Sequence, residues 1–372
     1  MDNIRRCWLE IDLNKLEHNL IQFKNIVPKN TNIIAVLKAD ACNHGATTLA
    51  RKLISLGISF FAVACLEEAI ELRTIDNNIS ILILGYTEII NANLLKKYNL
   101  IQTIVDYDYA LALNQCNYAI NCHLKIDTGM HRIGVDANRI DIIKEIYNLD
   151  NLNITGIYSH LSVSDSNLVN NIEYTQNQIY TFDKLLSTLR NRNINYGVTH
   201  IQSTYGIINY PNLEYDYVRL GTGLYGFKSD VNDYMKINLE LIPILQFKCL
   251  ITSIKYLEKN DYVGYGNTYQ ALTPRKIAIL NVGFGDGYKR SLSNKSSVYI
   301  HGKKANVIGK ICMDQMMVDI TNIDEAKVND VVTLIGDKIN IESLAATCNM
   351  MTNEFLVNIN KRVEKVYIQK KF

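Results

Sequence analysis

From residue 33 to about residue 225 the chain alternates short apolar runs with longer amphipathic stretches. That order predicts parallel strands joined by crossover helices. Eight runs have strand length, at 33–37, 60–64, 81–84, 101–105, 121–126, 154–158, 196–201 and 216–220. Between the sixth and seventh, Ile172, Ile179, Phe182, Leu186 and Leu189 fall near one face of a 3.6-residue helix. Eight βα units predict a (β/α)8 TIM barrel. After Gly226 the texture changes to alternating strands at 246–256, 276–282, 297–300 and 331–335, punctuated by Gly, Asn and Asp. The fold class expected is therefore α/β, a (β/α)8 barrel followed by a mostly-β C-terminal domain. Asp, Asn and Lys crowd together without an apolar pattern across 228–239, which marks a linker. This divides the chain into a barrel of residues 1–235 and a β domain of residues 236–372.

Charge and composition narrow the function more than the fold. The 372 residues carry 39 Lys plus Arg against 37 Asp plus Glu, a net charge of +2 that provides no field for steering onto nucleic acid. A small-molecule partner is expected. With no apolar run near the roughly eighteen residues that span a bilayer, no membrane segment is expected in this chain, nor a signal peptide. The eight cysteines are scattered and form no C-x-x-C pair, so neither a disulfide framework nor a metal site is expected. A reducing, cytoplasmic compartment fits that usage.

In such a barrel the reacting groups gather at the carboxyl ends of the strands. Read that way, Lys38 follows strand one, Arg132 strand five, His160 strand six, Ser203 and Thr204 strand seven, and Arg219 with Gly221 ends strand eight. Lys38 closes an apolar run, so its amine has two readings. It is either a partly desolvated nucleophile toward an aldehyde or a snorkelling surface lysine. The glycines at 283–287 follow an apolar run but precede no amphipathic helix, which excludes a dinucleotide-binding turn.

The segment 36–45, Val-Leu-Lys-Ala-Asp-Ala-Cys-Asn-His-Gly, resembles the signature of the alanine racemase family around its cofactor lysine. The resemblance continues in order through Lys-Ile-Asp-Thr-Gly-Met-His-Arg-Ile-Gly at 125–134 and Tyr-Ser-His-Leu at 158–161. It extends through Arg-Leu-Gly at 219–221, Gly-Tyr-Gly at 264–266, Gly-Asp-Gly-Tyr at 285–288 and Gly-Lys-Ile-Cys-Met-Asp-Gln at 309–315.

The resemblance implies a fold-type III enzyme using pyridoxal 5′-phosphate (PLP), a head-to-tail homodimer with shared active sites, and a small amino-acid substrate. It implies that Lys38 is the Schiff-base lysine and the base on one face of the α-carbon, with Tyr265 of the partner subunit on the other. His160 and Arg219 would support that tyrosine, and Arg219 would face the cofactor's pyridine nitrogen. Arg132 and, from the other subunit, the Met313 backbone would hold the substrate carboxylate, with Asp314 supporting. Ser203, Thr204, Gly221 and Thr222 would cradle the phosphate. Lys125 matches a lysine that is carbamylated in some relatives, and an ordinary lysine there is equally compatible.

Two positions depart from the family, and each lacks a tyrosine. Cys42 stands where a phosphate-binding tyrosine is usual, and a thiol is a weak donor. Asn353, before Glu354 and nine residues ahead of Arg362, stands where a tyrosine lines the substrate pocket. The smaller amide leaves room for, and a partner to, a hydroxymethyl group. This resembles the VanT-type serine/alanine racemases of vancomycin-resistance systems, which carry the module behind a membrane domain. The expectation is a serine and alanine racemase that supplies D-amino acids for peptidoglycan precursors, either free-standing or as the soluble domain of a membrane-anchored protein. In the other reading Asn353 only caps the chain and the enzyme is a housekeeping alanine racemase. More remote readings are a non-catalytic PLP carrier and a basic amino-acid decarboxylase.

Overall fold

The computed structural model describes residues 5–336 and 338–369. It opens on strand β1 (Cys7–Asp12), which the apolar pattern did not reveal. Eight strands of the expected barrel follow, as β2 (Asn32–Val36), β3 (Phe60–Val63), β4 (Ser80–Ile83), β5 (Ile101–Ile104), β6 (Ile120–Asp127), β8 (Leu152–Tyr158), β9 (Val198–His200) and β10 (Tyr217–Leu220), while β7 (Val135–Asp136) is a two-residue addition beside β6. All pair in parallel, and the β5–β6 and β10–β2 pairings close the ring. Strands so short and so fully buried, as in Phe60–Val63, are what a sheet covered on both faces requires.

The long helix Val169–Asn191 turns a different face inward from the one the apolar residues indicated. Phe182, Leu186 and Leu189 are buried as expected, but Thr175 and Gln178 occupy the inner face of its first half, with Ile172 and Ile179 only partly covered. A buried polar pair is tolerated because both side chains are hydrogen-bonded, Thr175 to the Asn171 carbonyl and Gln178 to the loop after β8.

The remaining strands are β11 (Leu245–Leu257), β12 (Arg275–Leu280), β13 (Ser297–Ile300), β14 (Lys303–Ile308), β15 (Met316–Asp319), β16 (Val331–Ile335) and β17 (Glu364–Ile368). Their order is β12-β15-β14-β13-β16-β11-β1-β17, with β11 also pairing β12, so six of them form a closed antiparallel ring. Cys7 to Ile11 lie antiparallel to Cys249 to Leu245, and β17 runs parallel to β1 on its other side.

The compact units therefore differ from the division at residue 235. One comprises residues 20–224 and 233–240, and the other comprises residues 1–19, 225–232 and 241–372. The reason is strand pairing: β1 satisfies its backbone groups between β11 and β17, a contact more than 230 residues distant that no local pattern encodes. The segment expected as a linker carries no helix or strand, and its 233–240 portion returns to the barrel unit, where Tyr234 N–H donates to the Asp165 carbonyl.

Among the described residues no helix is long and apolar enough to cross a membrane, and the eight cysteines are free.

Candidate active site

Lys38 begins a short turn, Lys38–Asn43, whose handedness is inverted. Ala39, Asp40, Ala41 and Cys42 have φ of 53°, 51°, 54° and 51°, and Asn43 follows at 66°. A left-handed turn of residues bearing a Cβ costs on the order of 1–2 kcal/mol per residue, so its surroundings must hold it. Glu68 does so from the neighbouring helix Leu66–Arg73. Its carboxylate accepts from Ala39 N–H at 2.6 Å and from Ala64 N–H at 2.7 Å. Asp40 accepts from Ala46 N–H at 2.7 Å, closing the turn onto the next helix. Lys38 itself is exposed, so the barrel's own residues do not supply the partial desolvation expected from its apolar run. Cys42 faces inward enough for burial to push its thiol up to about 11, which leaves it a neutral, weak donor.

Arg219, at the end of β10, is buried at 4% exposure. Its Nη1 donates to Nδ1 of His200 at 2.6 Å, and its Nη2 donates to Nδ1 of His160 at 3.0 Å and to the carbonyls of Ser159 and Ile201 at 2.8 and 2.9 Å. Every one of these acceptors is neutral. Burial pulls the guanidinium down to about 10, still protonated at neutral pH. Burial and the neighbouring guanidinium lower His160 and His200 well below the ordinary histidine range, so both rings are uncharged. Each therefore accepts at Nδ1 and carries its proton on Nε2.

Lys125, on β6, is buried at 3% and donates to the Ile126 carbonyl at 2.7 Å. Burial, then Arg219, lowers its amine to about 7. The Tyr158 ring lies beneath two of these cations, 5.1 Å from the Arg219 guanidinium carbon and 5.6 Å from Lys125 Nζ, while its hydroxyl meets Thr103 at 2.9 Å. Arg132 is exposed on the loop after β6, yet its charge, like those of Lys38, Lys125 and Arg219, reaches His160. Asp127, the carboxylate among them, is occupied by the backbone N–H groups of Gly129 and His131. The mouth is thus a concentration of positive charge aimed at an anion.

Beside it, the helices Thr204–Asn209 and Thr222–Tyr225 begin close together, since the Thr204 hydroxyl accepts from Gly221 N–H at 3.3 Å and Gly223 N–H at 3.4 Å. Gly223 has to be glycine, because a Cβ there would lie 2.3 Å from Phe23 Cζ. Ser203, at the N-cap, forms no side-chain capping bond. Lys38, Arg132, His160, Ser203, Thr204, Arg219, Gly221 and Thr222 thus all lie at or just beyond carboxyl ends of barrel strands, as the sequence placed them.

The sequence reading missed Glu68, Gln178, His123 and His200. Gln178 is buried, donates to the His160 carbonyl at 3.1 Å and accepts from Ser162 N–H at 3.0 Å, fixing the loop that carries His160. The one available signal was a polar residue where the helical periodicity called for an apolar one.

In the β unit, Tyr265 is 67% exposed on a tight turn between Gly264 and Gly266, both at φ 72°. Met313 and Asp314 occupy the loop between β14 and β15. Met313 is exposed, and its carbonyl accepts from Gly285 N–H at 2.8 Å. Asp314 accepts from Arg362 at 2.7 Å, and its carbonyl accepts from Arg6 at 2.9 Å. Both arginines converge on the fully buried Asp286, Arg6 through two bonds of 2.6 and 2.8 Å and Arg362 through one of 2.8 Å. Asn353 is half-buried in the first turn of the helix Thr352–Val357, its Oδ1 accepting from Glu354 N–H at 3.0 Å.

A parallel barrel with a lysine and a cation-lined mouth, joined to an antiparallel β unit, defines a two-domain barrel protein built to bind a small anion. Comparison with known proteins narrows this. Residues 11–229 match the model of the alanine racemase N-terminal domain, and residues 244–367 that of its C-terminal domain. The chain belongs to the alanine racemase family, whose cofactor is pyridoxal 5′-phosphate. It is 43% identical over 359 residues to an amino-acid racemase of Enterococcus faecalis, covering 96% of this chain and 51% of that protein. It is 39% identical over 361 residues to a serine/alanine racemase of Enterococcus gallinarum, covering 97% and 51%. The chain thus spans about half the length of these two relatives, but 96% of alanine racemase 1 of Clostridium acetobutylicum, to which it is 37% identical over 377 residues and which covers 99% of this chain. Among solved structures, the alanine racemase of Clostridium difficile 630 superposes with a TM-score of 0.93 at 31% identity, covering 99% of this chain and 97% of that one.

The mouth residues fit this cofactor chemically. A dianionic phosphate suits hydroxyls and amides at paired helix starts, a carboxylate suits Arg132, and an aldehyde suits the amine of Lys38.

Proposed function

We propose that this chain is a PLP-dependent racemase of small amino acids, acting on serine and alanine through two bases, Lys38 and Tyr265 of the partner subunit. The observation that carries the reading is Arg219: a buried guanidinium, bonded only to neutral acceptors in the contacts described, at the mouth that presents Lys38.

Bound at the mouth, the cofactor supplies the electron-withdrawing system that acidifies the substrate α-C–H bond. The chain's residues do the rest. Lys38 would hold the cofactor's aldehyde and, as a free amine, take or return a proton at one face of the α-carbon, while the tyrosine would serve the opposite face. Inversion needs both. Arg132 and the Met313 backbone of the partner subunit hold the substrate carboxylate, with Asp314 anchoring the Met313 loop. Ser203, Thr204, Gly221 and Thr222 bind the phosphate. Arg219 would face the cofactor's pyridine nitrogen as a donor that does not surrender its proton, a setting that would favour reprotonation at the α-carbon over transamination. His160 is locked with its proton on Nε2, the donor that steadies a phenolate as the tyrosine ionises.

Serine acceptance rests on Asn353. Its Oδ1 caps Glu354, and its amide nitrogen has no bond among those described, which leaves a donor for a substrate hydroxyl. The D-amino acids formed are of the kind used in peptidoglycan precursors, and the serine product fits a role in vancomycin resistance. An alanine-only housekeeping enzyme is the second reading, favoured by the capping bond of Asn353.

Purified protein incubated with PLP and either L-serine or L-alanine should yield both D-enantiomers; no D-amino acid from either would overturn the reading. Asn353→Tyr should lower serine turnover relative to alanine about two- to tenfold, the worth of one hydrogen bond. Equal ratios in both proteins would remove Asn353 from the account, and D-alanine without D-serine would leave the alanine-only reading.

A further inference from the structure

We propose that His123 is a positioning residue of this site, accepting a hydrogen bond from Nε2–H of His200 and so satisfying the buried donor of the tautomer that Arg219 imposes, in which His200 offers its Nδ1 lone pair to the guanidinium. The inference deepens the reading above and rests on it for the role of Arg219.

The argument follows the protons. A guanidinium has donors and no acceptor, so Nδ1 of His200, 2.6 Å from Arg219 Nη1, accepts. A neutral imidazole that accepts at Nδ1 carries its proton at Nε2. That atom lies 3.0 Å from Nδ1 of His123, which therefore accepts in turn, and His123 holds its own proton at Nε2. Reversing the His200 ring would set one N–H against another at Arg219. Both tautomers are thus determined from the permanent donor outward, over two rings.

Packing removes the alternative of turning a ring away. Tyr158 stacks on His200 at 4.6 Å with planes 13° apart. Phe60 meets His123 edge-on at 5.8 Å. Gly156 on β8 has no side chain where a Cβ would come within 2.6 Å of His123 Nε2. Both rings are buried, at 1% and 0% exposure, and burial lowers His123 to about 3, so neither rotates out nor charges near neutrality.

Removing the His123 acceptor leaves the His200 Nε2–H buried without a partner. The opposite tautomer would set an N–H against Arg219, so the orphan is relieved only if the His200 ring moves off the guanidinium. The guanidinium then loses its shortest bond and its orientation toward the mouth.

The test uses the full chain with and without PLP, labelled with ¹⁵N in its histidine rings. The unaltered protein should show His200 protonated at Nε2, with coupling across the hydrogen bond to His123 Nδ1. His123→Leu should leave His200 protonated at Nε2, abolish the coupling, and weaken PLP binding, read by absorbance titration, about tenfold, the typical cost of a buried unpaired N–H. His123→Asn places a side-chain oxygen near the lost Nδ1 and should restore the hydrogen bond and most of the affinity. A His200 protonated at Nδ1 in the unaltered protein overturns the proposal. So does unchanged affinity in His123→Leu or, if that variant fails to fold, a His123→Asn protein whose His200 has switched. Failure of the unaltered protein to bind PLP, with the His200 coupling intact, would instead sink the functional reading alone.

Discussion

Arg219 and His200 meet at 2.6 Å inside the barrel, the guanidinium 4% exposed and the imidazole not at all. Arg219 holds His160 in the same way, 3.0 Å from the same guanidinium. A permanent cation thereby keeps two histidines neutral and proton-ordered, and that arrangement has consequences measurable without substrate.

Acid should destabilise the protein through its buried histidines. His123 is lowered to about 3 and His200 well below its usual value, whereas both titrate near 6.5 once unfolded. As pH falls below about 6.5 only the unfolded chain binds these protons, so stability is lost at about 1.4 kcal/mol per pH unit per group, or about 2.7 for the pair. Urea unfolding at pH 7 and pH 5 should show this loss in the unaltered protein. A double variant, His123→Asn with His200→Asn, should flatten it; an equal slope would contradict the assignment.

Lys125 acts over a different pH range. Its amine is lowered to about 7 in the fold and titrates near 10.4 when unfolded. Between those values the unfolded chain binds the extra proton, so this group makes stability rise with pH from about 7 to 10. Below 7 both states are charged and the cost of burying the ammonium, on the order of a few kcal/mol, is at its full value. Lys125→Met should therefore stabilise the PLP-free protein at pH 6 and make unfolding less pH-dependent above 7. Comparable dependence in both proteins would rule this out.

The inverted turn after Lys38 should respond to substitution against the helix-propensity rule. Ala39 is exposed at φ 53°, so Ala39→Gly should stabilise by about 0.5–1 kcal/mol rather than destabilise. Glu68→Ala, which removes the acceptor for Ala39 and Ala64, should cost about 1–3 kcal/mol. Melting of the two single variants checks both signs.

Asp286 should prove the most sensitive acidic residue of the β unit. Asp286→Ala leaves Arg6 and Arg362 facing each other and frees Gly283 N–H, which donates to the lost carboxylate at 2.8 Å. Because both arginines are partly exposed, the cost should be about 2–4 kcal/mol, somewhat below that of breaking a fully buried pair. Denaturant unfolding measures it, and a loss under 1 kcal/mol would show the arginines to be independently solvated.

Much of the barrel was visible along the chain, because its strands are short, apolar and separated by helical stretches. The strand at 297–300 and the strand at 331–335 were located to the residue. Strand β1 was not, because its six residues look like any half-apolar run until β11 and β17 flank them. Likewise Lys38, His160 and Arg219 could be picked out as polar residues ending apolar runs. His123 lies inside β6 and His200 is the last residue of β9, and within the apolar runs at 121–126 and 196–201 a histidine reads as an interruption.

Taken alone, the order of residues determined which strands exist, which side chains stand at their carboxyl ends, and the family resemblance that follows. It did so because hydrophobic period and short motifs are local, set by neighbours within a few residues. Tertiary structure decided which unit β1 joins, that Gln178 rather than Ile179 faces inward, and that Arg219, His200 and His123 form one chain of hydrogen bonds across three strands. Those outcomes depend on closing each sheet into a ring, which brings distant residues, such as His123 and Arg219 at 96 positions apart, into one dry interior where each proton must find an acceptor.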